Sequence, residues 1–381
     1  MPEVKLRNDA IELVFDTDHG TLTRLSLPAS GWTPLERPGR GFSFELLLPL
    51  PGRRMNPARG EEQDPPRVEL AEGGAELTMT WPRLRSHHGG SHEVEVRERV
   101  RLQAARAVFE LEIVNRSELT IESVLFPYLA DVRPPQEARA FSAFSMSYST
   151  AQEWPLWPTY RNQCGYWGVD SPTQYGGSTN CGTPMTPFML LRSDEQGLYV
   201  GVDSLSTELV AWHTQLWPGH GEAMDSRVPD GWRVGDQEVT TRFAAAHLPY
   251  LEPGGRRALT PIAIEGYQGG WQQGADIYRA WRERRLTAPP RPAWVDEPHT
   301  WQQIQMNSPE EEYRFSFREL VDVGRRARDS GVRAIQLVGW HEGGQDRGGP
   351  GHAPDPRLGT PEELRDAIEE VRGMGVRTIL F

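Results

Sequence analysis

The chain has 381 residues, carries a net charge of −12 at pH 7 and contains 37% hydrophobic residues. This length accommodates two domains, and the apolar content is enough for a large core, which excludes a wholly disordered protein. The acidic balance argues against nucleic acid or an anionic membrane as the main partner. No run of about 18 apolar residues occurs, so the sequence predicts no membrane-spanning helix.

The N-terminal residues and the cysteines indicate the compartment. The segment MPEVKLRNDAIEL lacks a basic stretch followed by an apolar run, so we recognise no secretory signal and predict a cytoplasmic protein. Cys164 and Cys181 are the only cysteines, which is too few for a disulfide framework, and we expect free thiols. The sequence has no P-loop and no dinucleotide fingerprint, so we predict no cofactor.

Residues 1–265 show the alternation of β-strands. Residues 11–25 form two short apolar runs around a turn at residues 18–20, and later runs alternate with period two at 77–81, 94–102 and 109–113. Glu98 interrupts the apolar face of the 94–102 run. Many such strands without helical periodicity predict a large antiparallel β-sandwich. Residues 150–235 break this rhythm with a Gly-, Pro- and aromatic-rich sequence.

A connector follows at 266–298. Trp271, Ala275 and Tyr278 recur at helical spacing, which predicts a linker helix at 271–285. The sequence APPRPAW at 288–294 is Pro-rich and indicates a domain boundary.

Residues 299–381 have the order of a β/α domain, with strands predicted at 299–306, 332–340 and 376–381. Ser316 with Glu319, and Thr360 with Glu363, are spaced as capping boxes and predict where the two intervening helices begin. We expect these to be the first strands of a parallel (β/α)8 barrel. A barrel needs eight such units over about 250 residues, so we expect a truncated chain. The alternative is a complete three-stranded α/β domain.

This order of elements resembles the α-galactosidase-like (melibiase-like) glycoside hydrolases, and more closely an uncharacterised group of related bacterial proteins. The matching stretches are LEIVNRSELTIESVLFPYLADV (111–132), GLYVGVDS (197–204), GGWQQGADIYRAWRER (269–284) and GWHEGGQDRGGPGHAPDPRLGTPEELRDAI (339–368). The resemblance implies an aldose-epimerase-like supersandwich at 1–265, packed on a barrel that starts at 299. It also implies sugar binding at the carboxyl ends of the barrel strands.

In such enzymes two carboxylates on later strands carry out hydrolysis. Those strands would lie beyond Phe381, so the resemblance assigns no catalytic residue here and implies that this fragment is inactive alone. The predicted function is therefore the N-terminal portion of an O-glycoside hydrolase, with a carbohydrate ligand as its partner. The alternatives are a non-catalytic carbohydrate-binding β-sandwich protein and an aldose-epimerase-like enzyme that uses a His and a carboxylate of the sandwich.

The loop after the second predicted barrel strand is the main candidate for sugar binding. It contains, in order, Trp340, His341, Glu342, Asp346 and Arg347. Trp340 has a flat face for a sugar ring, and Asp346 and Arg347 suit charge-assisted hydrogen bonds to hydroxyls. The alternative is a loop stabilised by its own Asp346–Arg347 pair. An acid/base role for Glu342 or Asp346 is disfavoured, because two catalytic carboxylates must lie on either side of the scissile bond.

An aromatic segment at 153–184 is a second candidate. Trp157, Tyr160 and Trp167 lie in this Gly- and Pro-rich stretch. We expect them either to reach over the barrel mouth and contact sugar or to form an interdomain interface.

We also considered metal binding by two sets of side chains, His341 with Asp346, His352 and Asp355, and the trio His87, His88 and His92. Neither spacing matches a metal motif, and the histidine trio suits a hairpin tip. We predict no metal.

Overall fold

A computed structural model describes residues 3–36, 41–147, 150–157, 173–176, 186–217, 240–297, 300–308, 310–347 and 351–381. The chain divides into two compact units, Met1–Thr287 and Ala288–Phe381. Across the described ranges, no helix combines the length and the hydropathy that a membrane crossing requires.

The first unit consists mainly of β-strands. Their bounds are β1 Glu3–Arg7, β2 Glu12–Asp16, β3 Thr21–Leu27, β4 Trp32–Glu36, β5 Glu45–Leu47, β6 Pro57–Arg59, β7 Arg67–Leu70, β8 Glu76–Trp81, β9 Leu84–Ser86, β10 Gly90–His92, β11 Val94–Gln103, β12 Arg106–Asn115, β13 Ser123–Val132, β14 Phe141–Ser147, β15 Thr150–Trp157, β16 Thr173–Gly176, β17 Phe188–Arg192, β18 Gln196–Val202, β19 Val210–Trp217, β20 Thr240–His247, β21 Arg256–Ala258 and β22 Ile262–Gln268. A short 3-10 turn, Gly60–Glu62, follows β6.

These strands pair in antiparallel fashion, as the sequence predicts. The long sheet has the order β15-β14-β17-β18-β22-β12-β11-β8-β7, with β21 beside β12. The six-stranded sheet has the order β16-β19-β20-β13-β5-β6, and a smaller sheet has the order β1-β2-β3-β4. The expected break in strand rhythm at 150–235 is wrong in the described parts of that range, because β15, β17, β18 and β19 lie there and pair with β14, β22 and β20 from outside it.

Buried side chains from these sheets form one large hydrophobic core. The alternating positions of β8 and β11 contribute buried Met79, Trp81 and Val96. Phe109 of the long sheet meets Phe126 of the six-stranded sheet edge-to-face, with ring centroids 6.3 Å apart. Period-two apolar patterning therefore places one face of each strand in a shared interior.

Helix α1 (Trp271–Arg285) lies on the other face of the long sheet. Trp271 stacks on Phe144 with ring centroids 5.3 Å apart, and Tyr278 lies 5.4 Å from Phe188. The indole Nε1 of Trp281 donates a hydrogen bond of 2.6 Å to buried Asp203. The predicted helix is therefore present, and its aromatic face covers this side of the sheet.

The second unit alternates strands and helices. Its elements are α2 (Ala293–Asp296), β23 (Trp301–Gln305), α3 (Leu320–Asp329), β24 (Ala334–Val338), α4 (Pro361–Gly373) and β25 (Arg377–Leu380). The strands form a parallel sheet in the order β23-β24-β25. Helices α3 and α4 place apolar side chains, such as Leu320 and Val371, in a core that belongs to this unit.

The two predicted capping boxes differ in outcome. Thr360 caps α4 as predicted, because its side chain accepts a bond from Glu363 N–H and the Glu363 side chain accepts one from Thr360 N–H. Ser316 and Glu319 form the same reciprocal bonds. The residues they enclose form a turn, however, and α3 begins four residues later than predicted, at Leu320.

Glu98 is a carboxyl group inside the core of the first unit. It lies between Val96 and Val100 on the buried face of β11, and the burial of its side chain raises its pKa well above the usual range. Its Oε2 atom finds no hydrogen-bond partner in the described part of the chain. Between its unfolded and folded pKa values the folded state retains a proton that the unfolded chain releases, so stability decreases as pH rises.

We expect Glu98→Gln to remove this pH dependence. The amide cannot ionise, so at pH 8 the variant should exceed the wild type by about 1–3 kcal/mol in free energy of unfolding, and the difference should shrink by pH 5. Urea unfolding at both pH values measures this. Glu95→Gln, on the opposite face of the same strand, is the matched control. A pH-independent difference for Glu98→Gln would contradict the assignment.

Candidate functional site

The candidate site lies where the parallel strands of the second unit end. Trp301 to Gln305 of β23 pair in register with Ala334 to Val338 of β24, so the residues that follow both strands emerge at the same edge. Gln305 donates a side-chain hydrogen bond to Gln345 of the loop after β24. In open and closed parallel sheets, this carboxyl edge is where ligands bind.

Trp340 is the first large side chain after β24. It is half-buried against the core of the second unit, and its Nε1 donates a hydrogen bond of 3.0 Å to the backbone carbonyl of Phe381. Its ring centroid lies 5.4 Å from that of His341. The indole is therefore held in a fixed position while part of its surface remains open.

His341 connects the two ends of the loop. Its side chain is buried, and its Nε2 donates a hydrogen bond of 2.7 Å to the backbone carbonyl of Arg347. Its ring lies 5.0 Å from the ring of His352. This hydrogen bond therefore ties His341 to a later residue of the same loop.

Glu342, Asp346 and Arg347 are the exposed members of the predicted set. Asp346 has a positive φ of 61°, a conformation that Asp and Asn tolerate better than other non-glycine residues. The guanidinium of Arg347 lies 3.8 Å from the carboxylate of Glu311 in the segment after β23. The loop thus presents two carboxylates and a guanidinium to solvent, which suits hydrogen bonding to hydroxyl groups.

Asp355 also belongs to the candidate site, although the sequence pointed to it only as a possible metal ligand. It is fully buried, and its carboxylate accepts bonds of 3.0 Å from Nε and 2.9 Å from Nη2 of Arg357. Burial alone would raise the pKa of Asp355, but the hydrogen bonds and charge of Arg357 outweigh it and hold the pKa below its usual range. The backbone N–H of Asp355 donates to the carbonyl of Trp340, so this ion pair anchors the loop.

Asn307 was missed by the sequence reasoning. It follows β23, is fully buried, and neither polar atom of its amide makes a well-formed hydrogen bond within the described ranges. A side chain added at Gly339 would place its Cβ 2.0 Å from the Asn307 carbonyl oxygen, and one at Gly344 would lie 2.9 Å from the Asn307 amide nitrogen. The available signal was a polar residue directly after the strand predicted at 299–306.

The remaining predicted sugar-binding residues belong to the aromatic segment at 153–184. Trp157 ends β15 in the first unit, where its backbone pairs with Phe141. Tyr160 and Trp167 lie outside the described residues, as do Cys164 and Cys181. His92 lies on β10 of the predicted hairpin, 2.7 Å from the Ser86 hydroxyl.

Metal-ligating side chains do not cluster in the described part of the chain. Within the described ranges, no three His, Cys, Asp or Glu residues are arranged to hold a metal ion. The ring of His341 hydrogen-bonds a backbone carbonyl, and the carboxylate of Asp355 pairs with a guanidinium.

A separate cleft of about 640 Å³ lies in the first unit. It is lined by residues 30–32, 135–139 and 193–196, which are mostly polar. Its aromatic residue, Trp32, is buried and donates its indole hydrogen to the carbonyl of Arg133. The cleft therefore lacks an open aromatic face among these lining residues.

Comparison with known proteins supports the class of fold. No family model matches this sequence, and no curated protein matches it. A solved α-N-acetylgalactosaminidase from Bifidobacterium bifidum, in complex with GalNAc, is similar over 100% of this chain and 58% of its own, with 15% identity and a TM-score of 0.62. A GH36 α-galactosidase from Geobacillus stearothermophilus is similar over 100% and 56%, with 14% identity and a TM-score of 0.50. An α-galactosidase from Lactobacillus brevis is similar over 99% and 54%, with 12% identity and a TM-score of 0.51.

These similarities establish fold. The chain has the fold of a portion of α-galactosidase-like glycoside hydrolases, which confirms the resemblance inferred from the sequence. It spans less than two thirds of the length of each of these proteins.

The close approach of Gly339 to Asn307 generates a stability prediction. Gly339→Ala should lower the free energy of unfolding for two reasons. Alanine disfavours the positive φ of 68° at this position, and the overlap of its Cβ with Asn307 should cost about 1–3 kcal/mol more. Gly331→Ala is the matched control, because its φ is 72° and nothing lies within 4 Å, so it should cost only about 1–2 kcal/mol. Hydrogen exchange of β24 amides measures both. Equal losses would refute the tight contact.

Proposed function

We propose that this chain supplies the β-sandwich and the first units of a (β/α)8 barrel in a glycoside hydrolase. Similarity to glycoside hydrolases over essentially the whole chain carries the proposal. The parallel order β23-α3-β24-α4-β25 supports it, because repeated strand–helix units are what such a barrel contains.

The loop after β24 is the proposed sugar-binding element. Trp340 offers a fixed aromatic surface, while exposed Asp346 and Arg347 bind hydroxyl groups. Glu342 is exposed and available to accept a further hydrogen bond. Buried His341 maintains the loop conformation through the Arg347 carbonyl.

The two catalytic carboxylates are proposed to come from residues that this chain does not include. The similar enzymes are longer, since the chain spans only 54–58% of them. Within the loop, Glu342 and Asp346 are close in sequence, and a pair that hydrolyses glycosides must hold its carboxyl groups about 5–10 Å apart across the bond. The chain alone should therefore bind sugar weakly and leave nitrophenyl α-galactosides intact.

Substitutions in the loop test the proposed binding site. Arg347→Ala and Asp346→Asn should each weaken binding of N-acetylgalactosamine or galactose about tenfold, because one charge-assisted hydrogen bond contributes about 1.5 kcal/mol. Both spare the backbone: the Arg347 carbonyl still accepts from His341, and Asn tolerates the positive φ of residue 346. Saturation-transfer NMR titration gives the dissociation constants.

Arg365→Ala is the control for this titration. Arg365 is an exposed arginine of α4 that pairs with Asp366 at 2.8 Å, so its loss should leave sugar binding unchanged. Absence of binding to the wild-type chain, or equal affinities for all four proteins, would overturn the proposed site.

A further inference from the structure

Three charged side chains lie where the C-terminal end of α1 meets the long sheet. Arg106 of β12 and Glu265 of β22 are partners in the register of these strands, and Nε and Nη2 of Arg106 lie 3.0 Å and 2.8 Å from one carboxylate oxygen of Glu265. Asp203 directly follows β18, and its Oδ1 lies 3.6 Å from the Arg106 guanidinium. The exposed fraction of each side chain is between 6% and 16%. Charged groups at this depth occur almost only when they are paired.

Asp203 is the member of this network that contacts the helix. Its Oδ1 accepts a hydrogen bond of 2.6 Å from the indole Nε1 of Trp281 and lies 3.5 Å from Nη2 of Arg285. The guanidinium carbon of Arg285 lies 5.3 Å from the centroid of the Trp281 ring. One carboxylate oxygen therefore joins the last turns of α1 to the sheet.

The first turns of α1 are attached differently. There Trp271 stacks on Phe144, and both side chains belong to the apolar cluster between helix and sheet. In the last two turns Trp281 is buried, whereas the residues from Arg282 to Arg285 are exposed. A segment with few buried apolar contacts opens more readily than the rest of a fold. The C-terminal half of the helix thus depends on Trp281 and its hydrogen bond.

A charged network is not required to cover this face of the sheet. Elsewhere under α1 the covered side chains are apolar or aromatic, as at Phe188 and Tyr199. Removing charged groups from water costs free energy that their mutual attraction offsets only in part, and apolar residues of the same volume often stabilise as well. A hydrogen bond, unlike apolar packing, requires a defined distance and direction. The bond from Trp281 to Asp203 therefore restricts the positions that the end of α1 can take.

We propose that Asp203 is the latch of α1. Its carboxylate fixes the C-terminal half of the helix, residues 278–285, and loss of the contact with Trp281 and Arg285 frees that half while the sandwich stays folded. The chain continues from this end of α1 into the second unit, so the latch controls the order of the connector's start. The latch lies wholly in the first unit and does not depend on sugar binding by the loop after β24.

Amide hydrogen exchange of two variants of the full chain tests the latch. Asp203→Asn retains an acceptor for Trp281 but loses its charge, and Trp281→Phe retains an aromatic ring but loses the N–H donor. Each should speed exchange about tenfold at amides 281–286, as expected when one charge-assisted hydrogen bond is lost. Amides 275–277 and those of β12 and β22 should keep their wild-type rates. Trp281→Phe leaves every charge of the network in place, so it decides the test if Asp203→Asn fails to fold.

Asp276→Asn is the matched control. Asp276 pairs with Arg279 at 3.0 Å on the exposed side of α1, so its neutralisation should change exchange at amides 281–286 by less than about twofold. Equal acceleration in the helix and in β12, β18 and β22 would show that Asp203 stabilises the first unit as a whole. Unchanged rates at 281–286 in both variants would show that Asp203 does not hold the helix. Either result would overturn the latch.

Discussion

The contact between Gly339 and the backbone of Asn307 is the constraint on which the candidate site depends. A Cβ at residue 339 would lie 2.0 Å from the Asn307 carbonyl oxygen, so the segments after β23 and β24 meet with no space for a side chain. Because they meet, the loop that begins at Trp340 turns back over the strand ends, and buried Asp355 with Arg357 holds it there. The polar groups of Asp346 and Arg347 are exposed as a consequence of that turn.

The first unit uses its two outer faces differently. On the long sheet, the aromatic face of α1 completes an apolar layer around Phe188. On the six-stranded sheet, Arg242 lies over Phe42, and Glu61 and His213 are held in their neutral forms by burial. One antiparallel scaffold thus has an apolar outer face that a helix covers and a second outer face that contains buried ionisable groups.

Local patterns predicted much of the fold. Period-two alternation identified β8, β11 and β12, and the capping box at Thr360 located the first residue of α4, because these signals act between residues near each other in sequence. Ser316 and Glu319 form the hydrogen bonds of a capping box as well, but these bonds enclose a turn, and α3 begins only at Leu320. Strands β17 and β18 were missed because the Gly- and Pro-rich sequence around them obscured short apolar runs.

The sites were harder to predict. The exposed loop after β24 was identified from its position after an apolar strand, whereas the burial of Asn307 and Asp355 depends on pairing between β23 and β24. Tyr128, His213 and Arg242 are far apart in the chain, and Arg242 comes close to the other two only through the order of strands in the six-stranded sheet. Long-range register determines such clusters, and no local pattern reports it.

A crystal structure of the chain soaked with N-acetylgalactosamine would show whether the carboxyl edge of β23 and β24 binds sugar. We expect a sugar ring against Trp340, with hydroxyl groups within hydrogen-bond distance of the Asp346 carboxylate and the Arg347 guanidinium. A crystal in which this loop is free of lattice contacts and empty, while the soaked sugar is bound elsewhere on the chain, would contradict it.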